Sequence, residues 1–245
     1  MELRVIRSSA GHPAFNMALD EALLASPVAA TLRLYGWDPP GLSLGYFQPL
    51  APFQDTPGEH VVVRRLTGGG AIYHDQELTF CLALDAALAA NDVHTSYRTI
   101  HDALSRALHA IGVRAHRIPA NGAIPSPRPG ADWCFRHGGP HDLVDAAGRK
   151  ILGSAQRRVR KPRPRILHHG SLVLRRPSQT PFCAAVADSV PPEEVLDELC
   201  DHIVSELGRV LGLDPVPGHP SDDEISLAAS LRANRYEHPD FVARR

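Results

Sequence analysis

The sequence predicts a chain that mixes α-helix and β-strand, on two observations. Short runs that alternate in polarity or are wholly apolar, each bounded by Gly or Pro, have the period of strands. Between and after them, apolar residues recur at three- and four-residue spacing, as on helices with one buried face. The 245 residues fit one large domain or two small ones, and 43% hydrophobic residues suffice for a sizeable core.

In chain order, Leu3 to Arg7 reads as a short strand. Pro13 opens a helix whose Phe15, Leu19, Ala22 and Leu23 share a face. Thr31 to Trp37 alternates as a half-buried strand, Pro39-Pro40-Gly41 breaks it, and Leu42 to Tyr46 gives the next. Val61 to Arg65 is a β-type run and Leu78 to Leu84 a buried one. Leu104, Ala107, Leu108 and Ile111 have helical spacing, with Gly112 as the stop. Residues 119–141, with Pro119, Pro125, Pro127, Pro129 and Pro140, read as a long loop, a feature that usually has a function or is disordered. Leu143-Val144-Asp145 and Lys150-Ile151-Leu152 read as strands around a turn, Arg157 to Arg165 as a basic loop, and Leu167 to Leu174 as a strand. Val195, Leu196, Leu199, Ile203, Leu207 and Val210 form an amphipathic helix of ~5 turns. A further helix is expected around Glu224 to Tyr236, and neither a repeat nor a linker interrupts residues 1–245.

Composition excludes several classes. A net charge of −1 leaves no footprint for nucleic acid. No apolar window is long enough to span a membrane, and the N-terminal residues lack a signal-peptide core. Cys81, Cys134, Cys183 and Cys200 are irregularly spaced, which fits free thiols in a reduced, cytoplasmic protein. No metal site is expected, because the adjacent His168 and His169 on a strand point to opposite faces.

Arg64-Arg65-Leu66-Thr67-Gly68-Gly69-Gly70-Ala71-Ile72-Tyr73-His74-Asp75 stands out. Three consecutive glycines make poor strand. They form either a flexible turn or a wall that a ligand can approach closely. The flanking Arg64, Arg65, Thr67, His74 and Asp75 bring charge and hydrogen-bonding groups. Lys150 stands in an apolar strand, where an ammonium is costly unless paired; it is otherwise a solvated edge residue.

This segment resembles the signature R-R-x-[ST]-G-G-G-A-[IV]-x-H-D of the lipoate–protein ligase A family. Gly148-Arg149-Lys150-Ile151-Leu152-Gly153-Ser154-Ala155-Gln156-Arg157 and His168-His169-Gly170-Ser171-Leu172 are similar to two further blocks of that family. The series from Arg33 to Gln48 resembles it too, with Tyr35 and Trp37 read as core or pocket wall. The resemblance runs from about Phe15 to Tyr236. It implies a single α+β domain like the biotin/lipoate ligase catalytic domain, with a mixed, mostly antiparallel sheet flanked by helices and no separate C-terminal accessory domain. It also implies an acyl tunnel with Arg65, Thr67, Gly68, Gly69, Gly70, Ala71, Tyr73, His74, Gly153, Ser154, Ala155, His169 and Gly170 as substrate-binding residues. Lys150 is implied to contact the acyl carbonyl.

Two chemistries run in that family, and Trp133-Cys134-Phe135, upstream of Lys150, resembles the cysteine-dependent octanoyltransferases. His74-Asp75-Gln76-Glu77-Leu78-Thr79-Phe80 resembles their H-D-x-E-L-T-[YF], where ligases tend to have Gly-Asn after the H-D. The spacer Arg136 to Asp142 departs from the family's usual residues. The expected reaction takes octanoyl from acyl carrier protein onto Cys134 and then onto a lysine of a lipoyl carrier domain, such as glycine cleavage H protein or a 2-oxoacid dehydrogenase E2 subunit. Only a thiolate attacks, and a neighbouring cation favours it. Backbone N–H groups near Gly153 and Ser154 are the expected oxyanion donors. No cofactor is expected. ATP and magnesium enter only if the chain is instead a lipoate ligase working through lipoyl-adenylate. An amidotransferase between carrier proteins, a non-catalytic acyl-binding module and a Cys134 without a role are also compatible with these residues.

Overall fold

The computed structural model describes residues 1–122 and 132–244, so Pro125, Pro127 and Pro129 of the expected long loop lie outside the described residues. The strands are β1 (Glu2–Arg7), β2 (Ala30–Tyr35), β3 (Gly41–Leu44), β4 (Val61–Arg64), β5 (Ile72–His74), β6 (Glu77–Asp85), β7 (His116–Arg117), β8 (Leu143–Val144), β9 (Lys150–Val159), β10 (Arg165–Val173) and β11 (Asp214–Pro217). The helices are α1 (Pro13–Ala25), α2 (Val93–Ala110), α3 (Pro192–Leu211), α4 (Asp222–Leu231) and the short α5 (Pro239–Val242).

One large sheet has the order β11-β1-β2-β6-β10-β9-β8-β7, and a smaller one the order β4-β3-β5. In the large sheet β1 lies parallel to β11 and β2, and the pairs from β2 through β7 are antiparallel. The expected α+β class with a mixed, mostly antiparallel sheet is therefore what the chain adopts.

Strand period 2 explains how helices cover both faces. On β6, Phe80, Leu82 and Leu84 join a core with Ile100 and Leu104 of α2 and Leu199, Ile203 and Leu207 of α3. The intervening Cys81 and Ala83 face Met17, Leu19 and Leu23 of α1 and Ala228 of α4. Two covered faces also correct the half-buried reading of the second strand: every residue of β2 is buried. Its apparent alternation comes from Thr31 and Arg33, polar residues that are buried with partners.

Two boundaries differ from expectation. Arg157 and Arg158 belong to β9, and Arg165 opens β10, because hairpin pairing from Arg165–Val159 to His168–Gln156 continues through the basic stretch. Arg158 and Arg165 spend their guanidinium N–H groups on backbone carbonyls, which lets the charges sit in strand. The expected last helix is α4 continued by a π turn, Arg232–Tyr236. The buried Tyr236 anchors that turn by donating its hydroxyl to Glu21 Oε2 at 2.8 Å.

Candidate active site

The glycine segment leaves β4, crosses the loop after β3 and enters β5. Gly69 has φ +97°, a conformation glycine adopts without strain. A Cβ on Gly70 would lie 2.7 Å from Asp132 O and 2.7 Å from Cys134 N, so this glycine lets the cysteine segment pack backbone to backbone. Ala71 completes that contact: its N–H donates to Asp132 O at 3.1 Å, and its carbonyl accepts from Cys134 N at 2.8 Å.

Arg65 holds the segment in place. Its guanidinium donates to Ser43 O (2.8 Å), Gly68 O (3.0 Å) and Gly70 O (2.9 Å). Burial lowers its pKa to about 10, so it remains a cation at neutral pH. Arg64 donates to Gly45 O, Gln48 O and Val242 O, fastening α5 to the loop after β3. The two arginines, expected to present charge to a ligand, thus build the wall itself.

The flanking aromatics place Cys134. Trp133 meets Phe53 edge to face at 5.2 Å and packs beside Leu42, Leu44 and Ala71. Phe135, 4% exposed, packs on Ile72, Val173, Cys183 and Ala185. Two anchors pointing into different clusters fix the sulfur between them. Cys134 is only partly buried, whereas Cys81, Cys183 and Cys200 are buried. Burial pushes those three thiols upward in pKa.

Lys150 Nζ lies 3.3 Å from Cys134 Sγ, 3.1 Å from Cys134 O and 2.7 Å from Asp142 Oδ2. Burial opposes its charge, but the charges of Asp142 and Cys134 outweigh burial and hold the ammonium above the usual lysine range. Lys150 is therefore the buried, paired residue rather than a solvated one. The sequence reading missed Asp142. Its signal was the paired carboxylate a buried lysine demands. Asp142 and Asp145 both stand upstream, and Asp145 is taken by Arg149 at 2.8 Å.

Two cavities meet at Cys134. A narrow slot of about 40 Å³ is lined by Met17, Trp37, Gly69, Ile72, His169 and Gly170. An open cleft of about 550 Å³ is lined by Phe47, Tyr97, His137, His141 and Asp142. Cys134, Gly69 and Ser154 border both. Of the expected residues, Arg65, Gly68, Gly69, His74, Gly153, Ser154, Ala155, His169 and Gly170 line the slot, while Gly70 and Lys150 line the cleft. Thr67, Ala71 and Tyr73 line neither. Strand alternation puts Ile72 and His74 toward the slot and turns Tyr73 away, 5.6 Å from the ring of His60.

Hydrogen-bond accounting fixes the role of Ser154. His101 Nδ1 faces the carbonyl of His141 at 2.6 Å, so Nδ1 carries the proton. Burial lowers the His101 pKa to about 4, so its Nε2 is an acceptor and takes the Ser154 hydroxyl proton at 2.6 Å. Ser154 Oγ in turn accepts from His168 Nε2 at 2.7 Å, and His168 Nδ1 accepts from Gln156 Nε2 at 3.1 Å. The Ser154 hydroxyl has no proton left for a substrate. Beyond Leu152 the β8 side of β9 has no strand partner among the described residues, so the backbone near Gly153 and Ser154 is unpaired by strand on that side. His168 and His169 point to opposite faces. His169 bonds Thr67 Oγ1 at 2.7 Å. Among the described residues no group of three or more His, Cys, Asp or Glu is arranged to hold a metal ion.

A thiol beside a buried ammonium, between an apolar slot and an open cleft on a two-sided α+β sheet, is the arrangement expected of a domain of the lipoate-ligase type. Comparison with known proteins agrees. Residues 12–211 match the model of the lipoyl protein ligase A/B catalytic domain, and the chain belongs to that family. It is 38% identical over 183 residues to octanoyltransferase LipM of Kyrpidia tusciae, covering 70% of this chain and 65% of that one. It is 30% identical to octanoyltransferase LipM of Brevibacillus brevis over 99% of both chains. The chain thus spans about 65% of the length of the first relatives it matches, in the aligned portion. In fold it is similar to a lipoate–protein ligase A bound with ATP, with TM-score 0.78, 24% identity and 99% of each chain covered. It is also similar to a bipartite lipoate protein ligase of Thermoplasma acidophilum, with TM-score 0.74, 21% identity, and 99% and 97% covered. No described helix is long and apolar enough to cross a membrane.

Proposed function

We propose that this chain is an octanoyltransferase of lipoate biosynthesis, moving octanoyl from the thioester of acyl carrier protein to a lysine of lipoyl carrier domains through a thioester on Cys134. The observation that carries the reading is the 3.3 Å contact between Cys134 Sγ and Lys150 Nζ where slot and cleft meet. The octanoyl chain lies along Gly68 and Gly69 in the slot, with Gly70 at the cleft side of the same wall. The slot is smaller than the ~300–1,000 Å³ of ordinary ligand pockets, so its lining opens to admit the chain. Met17, unbranched and flexible, is the lining side chain best suited to move.

In the first half-reaction Cys134 thiolate attacks the donor thioester carbon. The new C–S bond forms, the donor C–S bond breaks, and the phosphopantetheine thiolate leaves through the cleft and takes a proton from water. In the second, the carrier-domain amine attacks the enzyme thioester. The C–N bond forms, Sγ leaves as thiolate beside Lys150, and the surplus amine proton passes to water in the cleft. Lys150 and backbone N–H groups near Gly153 and Ser154 stabilise the oxyanion in each half, a contribution of ~3 kcal/mol or more. Thioester exchange is near neutral and thioester-to-amide transfer is downhill, so the cycle needs no nucleotide, cofactor or metal. The names of the LipM relatives support the reaction, and a ligase neighbour solved as a system with its E2 lipoyl domain supports lipoyl domains as acceptors. The cytoplasm, where thiols stay reduced, is the fitting compartment.

Mass spectrometry after mixing the protein with octanoyl–acyl carrier protein, without ATP, tests this. The expected result is one added octanoyl group on the peptide that contains Cys134, discharged when a lipoyl domain is added. Adenylate formation from free lipoate and ATP, with no acyl-enzyme, would establish the ligase instead.

A further inference from the structure

Lys150 has three N–H donors and three partners: Asp142 Oδ2 at 2.7 Å, Cys134 O at 3.1 Å and Cys134 Sγ at 3.3 Å. Only the third changes during the proposed reaction. Once Sγ carries an acyl group it is a poor acceptor, and its N–H is released to the thioester oxygen. The other two partners hold the ammonium so that it pivots without leaving.

Asp142 is itself held. Its Oδ2 also accepts the Gly139 N–H at 2.7 Å, its own N–H donates to Gly139 O, and its carbonyl accepts from Ile118 N at 2.9 Å. The lysine and aspartate side chains are 4% and 11% exposed. Strand β9 carries glycine where the pair crosses it: a Cβ on Gly153 would stand 2.5 Å from Lys150 Nζ and 3.3 Å from Asp142 Oδ1. Other ionisable groups facing the pair are Tyr97 and His101 of α2, Cys134 and Arg65 of the loop wall, and His141 on the turn beside Asp142. Burial and the neighbouring cations lower the His101 and His141 pKa values, so the negative charge acting on Lys150 comes from Asp142 first and from Cys134 second, and only that of Asp142 persists once the sulfur is acylated.

We infer that Asp142 is the positioning residue of this site. It fixes Lys150 as a permanent ammonium with one N–H aimed at the reacting sulfur, so that Lys150 acts by charge and hydrogen bonding and is not the base that takes the incoming amine's proton. The catalytic consequence rests on the octanoyltransferase reading, whereas the charge state of Lys150 does not.

The composition gives a direct test. The chain has two lysines, Lys150 and Lys161, and Lys161 is exposed. In the full-length protein labelled with 13C at lysine Cε, Lys161→Arg assigns the two signals. The expected result is that the Lys150 signal keeps its ammonium shift to a higher pH than the Lys161 signal does. Asp142→Asn should bring the Lys150 titration down by more than one pH unit, with Asp142→Glu restoring most of it. The alkaline arm of octanoyl transfer should fall with it in Asp142→Asn. Should wild-type Lys150 titrate alongside Lys161, or fail to move in a folded Asp142→Asn protein, the inference is overturned whatever the transfer activity. A charged Lys150 in a protein that forms no octanoyl-enzyme overturns the proposed function and leaves the assignment of Asp142 standing.

Discussion

Two of the buried charged clusters among the described residues are built from similar parts. One joins Lys150, Asp142 and Cys134. The other joins Arg33, Asp20, His169 and Thr67 under the slot. Each pairs a buried cation with an aspartate and ends on a hydroxyl or thiol. In the second, Arg33 donates to Asp20 Oδ1 (3.0 Å), Asn16 Oδ1 (2.7 Å) and Ser8 Oγ (3.2 Å). Asp20 also accepts from Tyr35 and His169. Burial works against the Asp20 charge, but the His169 hydrogen bond and Arg33 outweigh it and hold the carboxyl below its usual range. Thr67 is tied to His169 and borders neither cavity. In the first cluster the sulfur borders both cavities. A closed network fixes α1, β2, β10 and the glycine segment to one another. The open one leaves Cys134 at the border of two cavities, and the proposed function assigns chemistry to it and scaffolding to the closed network.

Exchanging the terminal groups should break the likeness most sharply. Cys134→Ala is expected to abolish octanoyl transfer, with a melting temperature close to that of the parent. Thr67→Ala is expected to keep transfer within ~10-fold and to lose ~1 kcal/mol of stability with its hydrogen bond. Parallel activity and melting measurements check both, and retained transfer in Cys134→Ala would remove that residue from the reaction.

Next in size is the cation of the closed network. Arg33→Met strands Asp20 as a buried charge and should cost ~3–5 kcal/mol in urea unfolding, as expected for breaking a buried pair. A loss below ~1 kcal/mol would mean that Tyr35 and His169 suffice to hold the carboxylate.

A more gradual effect concerns pH. His101 titrates at about 4 in the folded protein because burial disfavours its charged form, and near 6.5 when unfolded. The unfolded chain then binds the extra proton below pH 6.5. Stability should fall as pH drops from about 6.5 to about 4, by up to ~3 kcal/mol from this group, and level off below. Asp20, depressed in the fold, adds a loss at still lower pH. A His101→Gln protein whose acid-side slope between those limits matches the parent's would refute the assignment.

Much of the site was legible because its parts are local in sequence. The glycines stand out by composition, and the Gly148–Arg157 block and His168–Ser171 by their resemblance to the family's motifs. Cys134 was legible through its aromatic neighbours. The roles were less legible. Arg65 was expected to bind substrate; it lines the slot and is also a backbone clamp, because the carbonyls of Ser43, Gly68 and Gly70 converge on it only after β3 and the glycine turn meet. Tyr73 shares its segment with His74, but one residue of strand phase turns it away. Asp142 stood in a spacer that looked irregular, and its use depends on a turn that brings it across β9.

The fold followed the same division. Apolar spacing marked most of the strands and helices, since burial of one face is written in the local period. It did not mark the fully buried state of β2, which depends on α1 and α4 covering the second face. The sequence by itself determined which residues are chemically able to act: a thiol, a lysine in apolar surroundings, and glycines that let backbones touch. Only the tertiary structure decided which of them are brought together. Ångström-scale contacts such as Lys150 with Asp142 and Cys134 join segments that hold no fixed distance until the sheet and its two aromatic anchors are in place.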